Sequence, residues 1–297
     1  MKFAAIDVGS NAVRLLFSQV FENSDQTFFK KDSLFRVPLR LGDDSFVKRK
    51  ISDEKADSLI KTMLAFKYLI EAYAPLDYMA IATAAMREAD NSIEIVNAVR
   101  KETGINLEVI DGQREAEIIY SNHVAEQLDD MGNYLYIDVG GGSTELTLIS
   151  DSVIIDSHSF QLGTVRLLEK KVPKSEWQRM KNWIKDSTSD YPSIRGIGTG
   201  GNINKMLKMS HKDEGDFLSY KGIKLVSDLV NSYTYEERIT KLNLRPDRAD
   251  VIIPATKIFM KALKWADIKE LYVPSIGLSD GIIHVLYEKH KRLILEA

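Results

Sequence analysis

The chain has 297 residues, 44% hydrophobic and 28% charged, with a net charge of −3 and no cysteine. That length suggests about two domains of ~150 residues each, and the apolar fraction suits a globular protein with a full core. The charge balance speaks against a nucleic-acid or membrane-surface binder, and the absent cysteines exclude disulfides, thiolate metal sites and cysteine nucleophiles.

The opening "MKFAAIDVGS" reaches an aspartate too soon to hold a signal-peptide core. No run approaches the ~18 apolar residues of a membrane span, so a soluble, cytoplasmic protein is expected. Residues 3–8 and 12–20 flank a Gly-Ser-Asn turn and read as a β-hairpin. Residues 52–73 open with Ser52 as N-cap and acids in the first turn. Ala56, Leu59, Ile60, Met63, Leu64 and Phe66 then keep a helical period. A short buried strand (78–83), a helix closed by Gly104 (91–104) and another strand (105–110) follow. The next helix, 112–128, carries Glu115 in its first turn.

The pattern then restarts. Residues 134–139 and 144–150 form a second hairpin, extended by 152–160. Next come a helix (175–187), a strand (193–198) and a helix starting at 200–209. A helix with an interior proline (247–266), a strand (270–275) and a terminal helix (279–295) complete the chain. Meanders mixed with βα alternation predict an α/β architecture with mixed sheets. The expected domains are 1–125 and 126–297, closely docked, with the last helix free to pack back on the first domain.

Setting Asp7 over Asp138 gives an offset of 131 residues, at which Ile6/Ile137, Asp7/Asp138, Val8/Val139, Gly9/Gly140 and Leu15/Leu146 are identical pairs. One Asp-Gly turn is commonplace. Two at half-chain spacing, each opening a half, point to a duplicated domain, and two facing domains create a cleft for a ligand.

Glycine turns suggest what that ligand is. Consecutive N–H groups with no side chains in the way form a concave donor surface that suits phosphate. Gly9-Ser10-Asn11 is one such turn, Gly140-Gly141-Gly142-Ser143-Thr144 a richer one, and "GIGTGGN" (196–202) a third. Singly, each reads as a tight turn needing positive φ; three at strand ends favour phosphate. The third also satisfies G-x-G-x-x-G, which raises a dinucleotide fold with Asp216 as ribose acid. That reading lacks a clear βαβ unit and leaves both Asp-Val-Gly turns unexplained.

Asp7, Asp138, Glu145 and Glu115 lie at strand ends or in a first helical turn. Phosphoryl transfer needs cations to neutralise phosphate and a base to orient the nucleophile, and Mg²⁺ is satisfied by one or two carboxylates plus waters. Taken alone, Glu145 also reads as a solvated strand residue and Glu115 as a helix-dipole acid. Arg87 follows a small-residue strand and suits a bidentate phosphate clamp, or a plain surface position. The five histidines (123, 158, 211, 284, 290) have no metal-ligand spacing, and no G-x-S-x-G elbow exists.

Assembled in order, "AAIDVGSNAVRLL", "IATAAMREA", "VIDGQREAEIIY", "YIDVGGGSTEL", "QLGTVRL", "GIGTGGNI" and "RADVIIPATKIF…VPSIGLSDGII" resemble the exopolyphosphatase / guanosine pentaphosphate phosphohydrolase (Ppx/GppA) family over nearly the whole chain. The resemblance implies two ribonuclease-H-like domains of the actin-like ATPase superfold, with the active site in the cleft between them. It implies Glu115 as general base, with Asp138 and Glu145 holding Mg²⁺ (or Mn²⁺) or positioning the water, and Asp7 facing them. Gly9, Ser10, Asn11, Gly140, Gly141, Gly142, Ser143 and Thr144 would cradle phosphates, with Arg87 and Gly198, Thr199, Gly200 and Gly201 nearby.

Two departures stand out: Arg114 where the family often has an acid, which would add positive charge near the site or else pair with the base and weaken it, and Asn202 where the third loop usually has threonine. The length leaves no room for the C-terminal helical domains of longer members, so short chains or a nucleotide are the expected substrates. The expected activity is hydrolysis of a terminal phosphoanhydride, on polyphosphate first and on guanosine pentaphosphate (pppGpp) as the alternative. A non-catalytic phosphate sensor and a kinase-like phosphotransferase are the readings from other classes. The expected partners are the substrate alone, without nucleic acid or membrane, and a homodimer is a possible assembly.

Overall fold

The computed structural model describes residues 1–23, 26–122, 132–274 and 276–296. The chain divides into two compact units, Met1–Asn122 with Leu278–Ala297, and His123–Gly277.

In the first unit, β1 (Lys2–Val8), β2 (Val13–Glu22), β3 (Thr27–Val37), β4 (Asp77–Ala82) and β5 (Leu107–Val109) form one sheet in the order β3-β2-β1-β4-β5. The first three strands are antiparallel and β4 and β5 run parallel to β1. The continuous apolar run "FAAI" suits a central strand buried on both faces, and Phe3 to Ile6 have no exposure. Helix α1 (Leu41–Lys48) and β3 were not anticipated from sequence; β3 is an edge strand whose exposed, lysine-bearing face hides its period.

Helix α2 (Asp53–Tyr73) begins where expected, but Ser52 does not cap it with its side chain. The Ser52 hydroxyl donates instead to Asp44 Oδ2 at 2.6 Å. After α3 (Ala84–Arg87) comes α4 (Ser92–Thr103), which ends at Gly104 in the left-handed conformation (φ 76°), as glycine there predicts. Helix α5 (Gly112–Tyr120) covers the described part of the expected 112–128 helix; residues 123–128 of that helix, with His123, lie outside the described residues.

The second unit repeats the plan. Its strands β6 (Asn133–Val139), β7 (Thr144–Ser150), β8 (Val153–Phe160), β9 (Arg195–Thr199), β10 (Phe217–Ser219) and β11 (Glu270–Tyr272) run in the order β10-β11-β9-β6-β7-β8. The hairpin is again antiparallel, and β9 lies parallel to β6 and β11 parallel to β9. The repetition reaches the register. Asp7 pairs with Arg14 and Val8 with Val13, as Asp138 pairs with Glu145 and Val139 with Thr144. A slip between the second and third strands falls at Phe17/Ser18 in one unit and Leu148/Ile149 in the other, again 131 residues apart.

Helices α6 (Thr164–Leu168), α7 (Lys174–Thr188), α8 (Gly201–Met209), α9 (Tyr220–Asn231), α10 (Tyr235–Thr240), α11 (Pro246–Ala249) and α12 (Ile252–Trp265) complete this unit. The expected 247–266 helix is thus two helices. The break puts Pro254 in the first turn of α12, where a missing N–H leaves no carbonyl unsatisfied. Leu135, Ile137, Met206, Ile258, Phe259 and Ala262 anchor the core between sheet and helices, all without exposure.

The last helix, α13 (Leu278–Leu295), packs within the first unit. A Cβ at Gly281 would collide with the Ile118 carbonyl, so glycine permits the close approach to α5. His284 stacks on Phe29 at 3.7 Å between ring centres, and Tyr287 donates to Glu22 at 2.6 Å. Among the described residues, no helix is long and apolar enough to cross a membrane.

Candidate active site

In the first unit the β1–β2 turn is closed by Gly9 N–H donating to the Ala12 carbonyl at 3.1 Å. Ser10 and Asn11 lend their carbonyls to Gly42 and Arg40 N–H groups, at 2.9 and 3.1 Å, tying the turn to the start of α1. Asp7, 3% exposed, accepts from Arg14 Nη1 at 2.5 Å. One of its oxygens is therefore committed to a guanidinium.

Glu115 and Arg87, far apart in sequence, meet in this unit. Asp111 caps α5 by accepting from Arg114 N–H at 2.8 Å, which fixes the first turn that carries Glu115. The Glu115 side chain is 11% exposed, and its Oε2 lies 3.8 Å from Arg87 Nη1. The same nitrogen donates to the Ile110 carbonyl at 2.8 Å. The cation beside Glu115 is thus Arg87. Arg114, expected there, turns outward to Glu117 at 3.1 Å. A guanidinium has five N–H donors, so Arg87 retains donor capacity for a phosphate oxygen.

In the second unit the equivalent turn is closed identically, Gly140 N–H donating to the Ser143 carbonyl at 3.0 Å. Neither Gly9 nor Gly140 has positive φ, so conformational freedom is not why glycine occurs there. A Cβ at either would stand 3.2 Å from the carbonyl that closes its own turn, which is the steric reason.

The triple-glycine loop is held from behind by a segment that sequence reasoning left out of the site. Thr164 N–H donates to the Gly140 carbonyl at 3.0 Å, Val165 and Arg166 N–H to Gly141 at 2.9 and 3.2 Å, and Arg166 Nε to Gly142 at 2.9 Å. A trans peptide is planar, with its C=O and N–H pointing opposite ways. Three successive carbonyls aimed at 164–166 therefore aim the N–H groups of Gly141, Gly142 and Ser143 to the other side. That is a nest of donors of the kind that receives anions. Gly163 makes it possible, since a Cβ there would collide with the Gly141 carbonyl. The "QLGT" stretch carried this signal only as a glycine before a short helix.

Asp138 and Glu145 are a cross-strand pair, with a carboxylate oxygen of each within 4.8 Å of the other. Thr199 donates to Asp138 Oδ1 at 2.9 Å, and Ser159 to Glu145 Oε1 at 2.8 Å. Like charges facing each other across a ladder are unfavourable, and Glu145 is only 3% exposed. A divalent cation with waters relieves that repulsion, so the pair fits a Mg²⁺-type ion. Asp7, with its arginine, fits that role less well.

The third loop joins this site on one side only. Gly200 has φ 97°, and a Cβ there would stand 3.0 Å from Asp138 Oδ1, so this glycine does need its freedom. Gly196 and Gly198 face Leu271, at 2.5 and 3.2 Å from where a Cβ would be, and are small for packing. Asn202, replacing the expected threonine, accepts from Arg248 Nη1 at 2.8 Å. The dinucleotide alternative fails on topology. After α8 the chain enters β10, which pairs antiparallel with β11 and not beside β9. Asp216 accepts from Asp213 N–H in a local turn.

Comparison with known proteins follows the same lines. The model of the Ppx/GppA phosphatase family matches residues 35–290. Exopolyphosphatase 1 of Mycobacterium leprae is 30% identical over 304 residues, covering 95% of this chain and 88% of its own. A bifunctional 3-dehydroquinate synthase/phosphatase of Fusobacterium nucleatum is 28% identical over 88% of this chain, which spans 43% of that protein's length. Among solved structures, the Aquifex aeolicus Ppx/GppA family member has a TM-score of 0.77 at 26% identity, over 98% of both chains. An exopolyphosphatase from Cytophaga hutchinsonii reaches 0.83 at 22% identity, over 97% of this chain and 98% of that one, a likeness of fold.

Proposed function

The chain belongs to the Ppx/GppA phosphatase family, and from that premise we propose that it hydrolyses the terminal phosphoanhydride bond of inorganic polyphosphate. It is a phosphohydrolase built on two ribonuclease-H-like, actin-like units. The observation that carries the substrate class is the donor nest at Gly141 to Ser143, adjacent to a carboxylate pair suited to a cation. A phosphate oxygen and a divalent ion are what such neighbours serve together. Relatives named exopolyphosphatase, matched over 95% of this chain, support polyphosphate.

In this reading the nest and the Gly9–Asn11 turn bind the terminal and preceding phosphates and orient the anhydride for in-line attack. Asp138 and Glu145 would hold Mg²⁺ or Mn²⁺, which when bound neutralises phosphate charge. Glu115 takes the proton of the attacking water as its oxygen bonds to phosphorus. The anhydride P–O bond breaks, and the shortened chain leaves with that oxygen. Arg87 keeps the Glu115 carboxylate oriented and offers its remaining donors to the substrate. We propose a cytoplasmic location and no partner beyond substrate.

The test offers purified protein with Mg²⁺ a panel of polyphosphates of several lengths, guanosine pentaphosphate and ATP, recording phosphate release. Release fastest from polyphosphate supports the reading. Release confined to guanosine pentaphosphate replaces the substrate, and none from any of them overturns the reading.

A further inference from the structure

The second unit holds a cleft of about 800 Å³ that the proposed reaction does not use. It lies where β9 and β11 begin, at Arg195 and Glu270, flanked by Lys185 in the last turn of α7 and Trp265 at the end of α12. A strand rises about 3.3 Å per residue, which puts the start of β9 about 13 Å from Thr199, the residue that donates to Asp138 at its other end. A volume of this size suits one small organic molecule.

Two aromatic side chains, Trp265 and Tyr191, line the cleft beside two ammoniums, Lys185 and Lys269, and two carboxylates, Asp267 and Glu270. Among the described residues, none of these six side chains has a hydrogen bond or ion pair. The indole is set by its neighbours: Trp177 meets it edge-on with ring centres 6.2 Å apart, and the Lys261 ammonium lies 5.3 Å from its centre. Arg195 also lines the cleft, but its guanidinium lies over the Tyr134 ring at 4.6 Å. The backbone adds a second observation. Ser193 and Asp267, both on the cleft, are left-handed, with φ 57° and 53°. A side chain in that region costs free energy that glycine would avoid, and such residues gather at ligand sites.

We propose that this cleft binds a nucleoside monophosphate, as a site separate from the glycine nest. The base stacks on Trp265, a contact open to every base because each has a π face. Lys185 and Lys269 answer the phosphate, while Asp267 and Glu270 accept from hydroxyl and amino groups of the sugar and base. A polyphosphate chain offers those carboxylates no donor and is repelled by them, so the cleft does not extend the substrate path. The site stands whether or not the chain hydrolyses phosphoanhydrides, because it shares no residue with that reading.

Equilibrium dialysis of the full-length protein against AMP and, separately, GMP tests the site, with wild type beside Lys185→Gln/Lys269→Gln and Trp265→Leu. Both lysines are exposed, and circular dichroism checks the fold of each variant. Saturable binding of either nucleotide to wild type is expected, weakened about tenfold by the lysine change and about tenfold by the loss of stacking. Adenosine, guanosine and orthophosphate each fill only part of the cleft and should bind about tenfold or more weakly than the nucleotides. Excess polyphosphate should leave nucleotide binding in place. No saturable binding of either nucleotide overturns the proposal. So do displacement by polyphosphate, orthophosphate binding as tightly as the nucleotides, and an affinity unchanged in the lysine variant.

Discussion

The two hairpin ends share one backbone and carry opposite charge. Across β1, β2 and β3 the register aligns Asp7, Arg14 and Arg36; across β6, β7 and β8 it aligns Asp138, Glu145 and Ser159. The first row holds one acid and two guanidiniums, the second two acids and a hydroxyl. Both end in a glycine turn closed by the same hydrogen bond. On the proposed function, one repeated scaffold is divided between two tasks. The first row suits phosphate oxygens, and the second suits a cation and the water it orders.

Exchanging the rows is the severest way to break this division. Glu145→Arg writes the first unit's residue into the second and replaces one carboxylate of the proposed cation pair by a cation. Phosphate release with Mg²⁺ is expected to fall by about 10³-fold or more; release within tenfold of wild type would refute the assignment. Gly163→Ala leaves both rows intact but pushes the Gly141 carbonyl off its support. Steady-state kinetics should show about a tenfold to hundredfold loss. Thermal unfolding should register about 1–3 kcal/mol of overpacking.

Arg14→Gln leaves Asp7, 3% exposed, without its guanidinium. Denaturant unfolding is expected to show a loss of about 1–3 kcal/mol. The Asp7→Asn/Arg14→Gln double variant should recover part of it.

The smallest effect belongs to the second unit alone. His158 pairs with Leu146, where the equivalent first-unit pair is Phe35 with Leu15. Burial, then Arg179 with its Nη2 2.7 Å from His158 Nε2, hold His158 below the ordinary histidine range; Asp156 and Glu176 oppose them. A histidine depressed in the folded state contributes stability that is complete above about pH 6.5. That contribution is lost as pH falls from there through the lowered folded value. Thermal unfolding from pH 7.5 to 5 should show this decline in wild type and a shallower one in His158→Phe.

How much of this was legible in the sequence depends on how far apart the partners lie. The hairpins, Gly104 as a helix stop and the 131-residue repeat are written in neighbouring residues, and they were readable. Nothing local says that the "GTVR" segment braces a glycine loop more than 20 residues upstream, or that Arg87 rather than Arg114 meets Glu115. Pro254 was misread as interior because helix periodicity continues across 247–266, while the actual break at Asp250 and Val251 carries no glycine. Ser52 occupied a capping position, yet Asp44 offered its hydroxyl a charged acceptor.

The central claim is the proposal that Glu115 is the general base for the attacking water. The most direct measurement is single-turnover phosphate release from polyphosphate by Glu115→Gln, beside polyphosphate binding to the same protein. The account predicts release slowed by about 10²–10⁴-fold with affinity within a few-fold of wild type. Release at the wild-type rate, with binding intact, would contradict it.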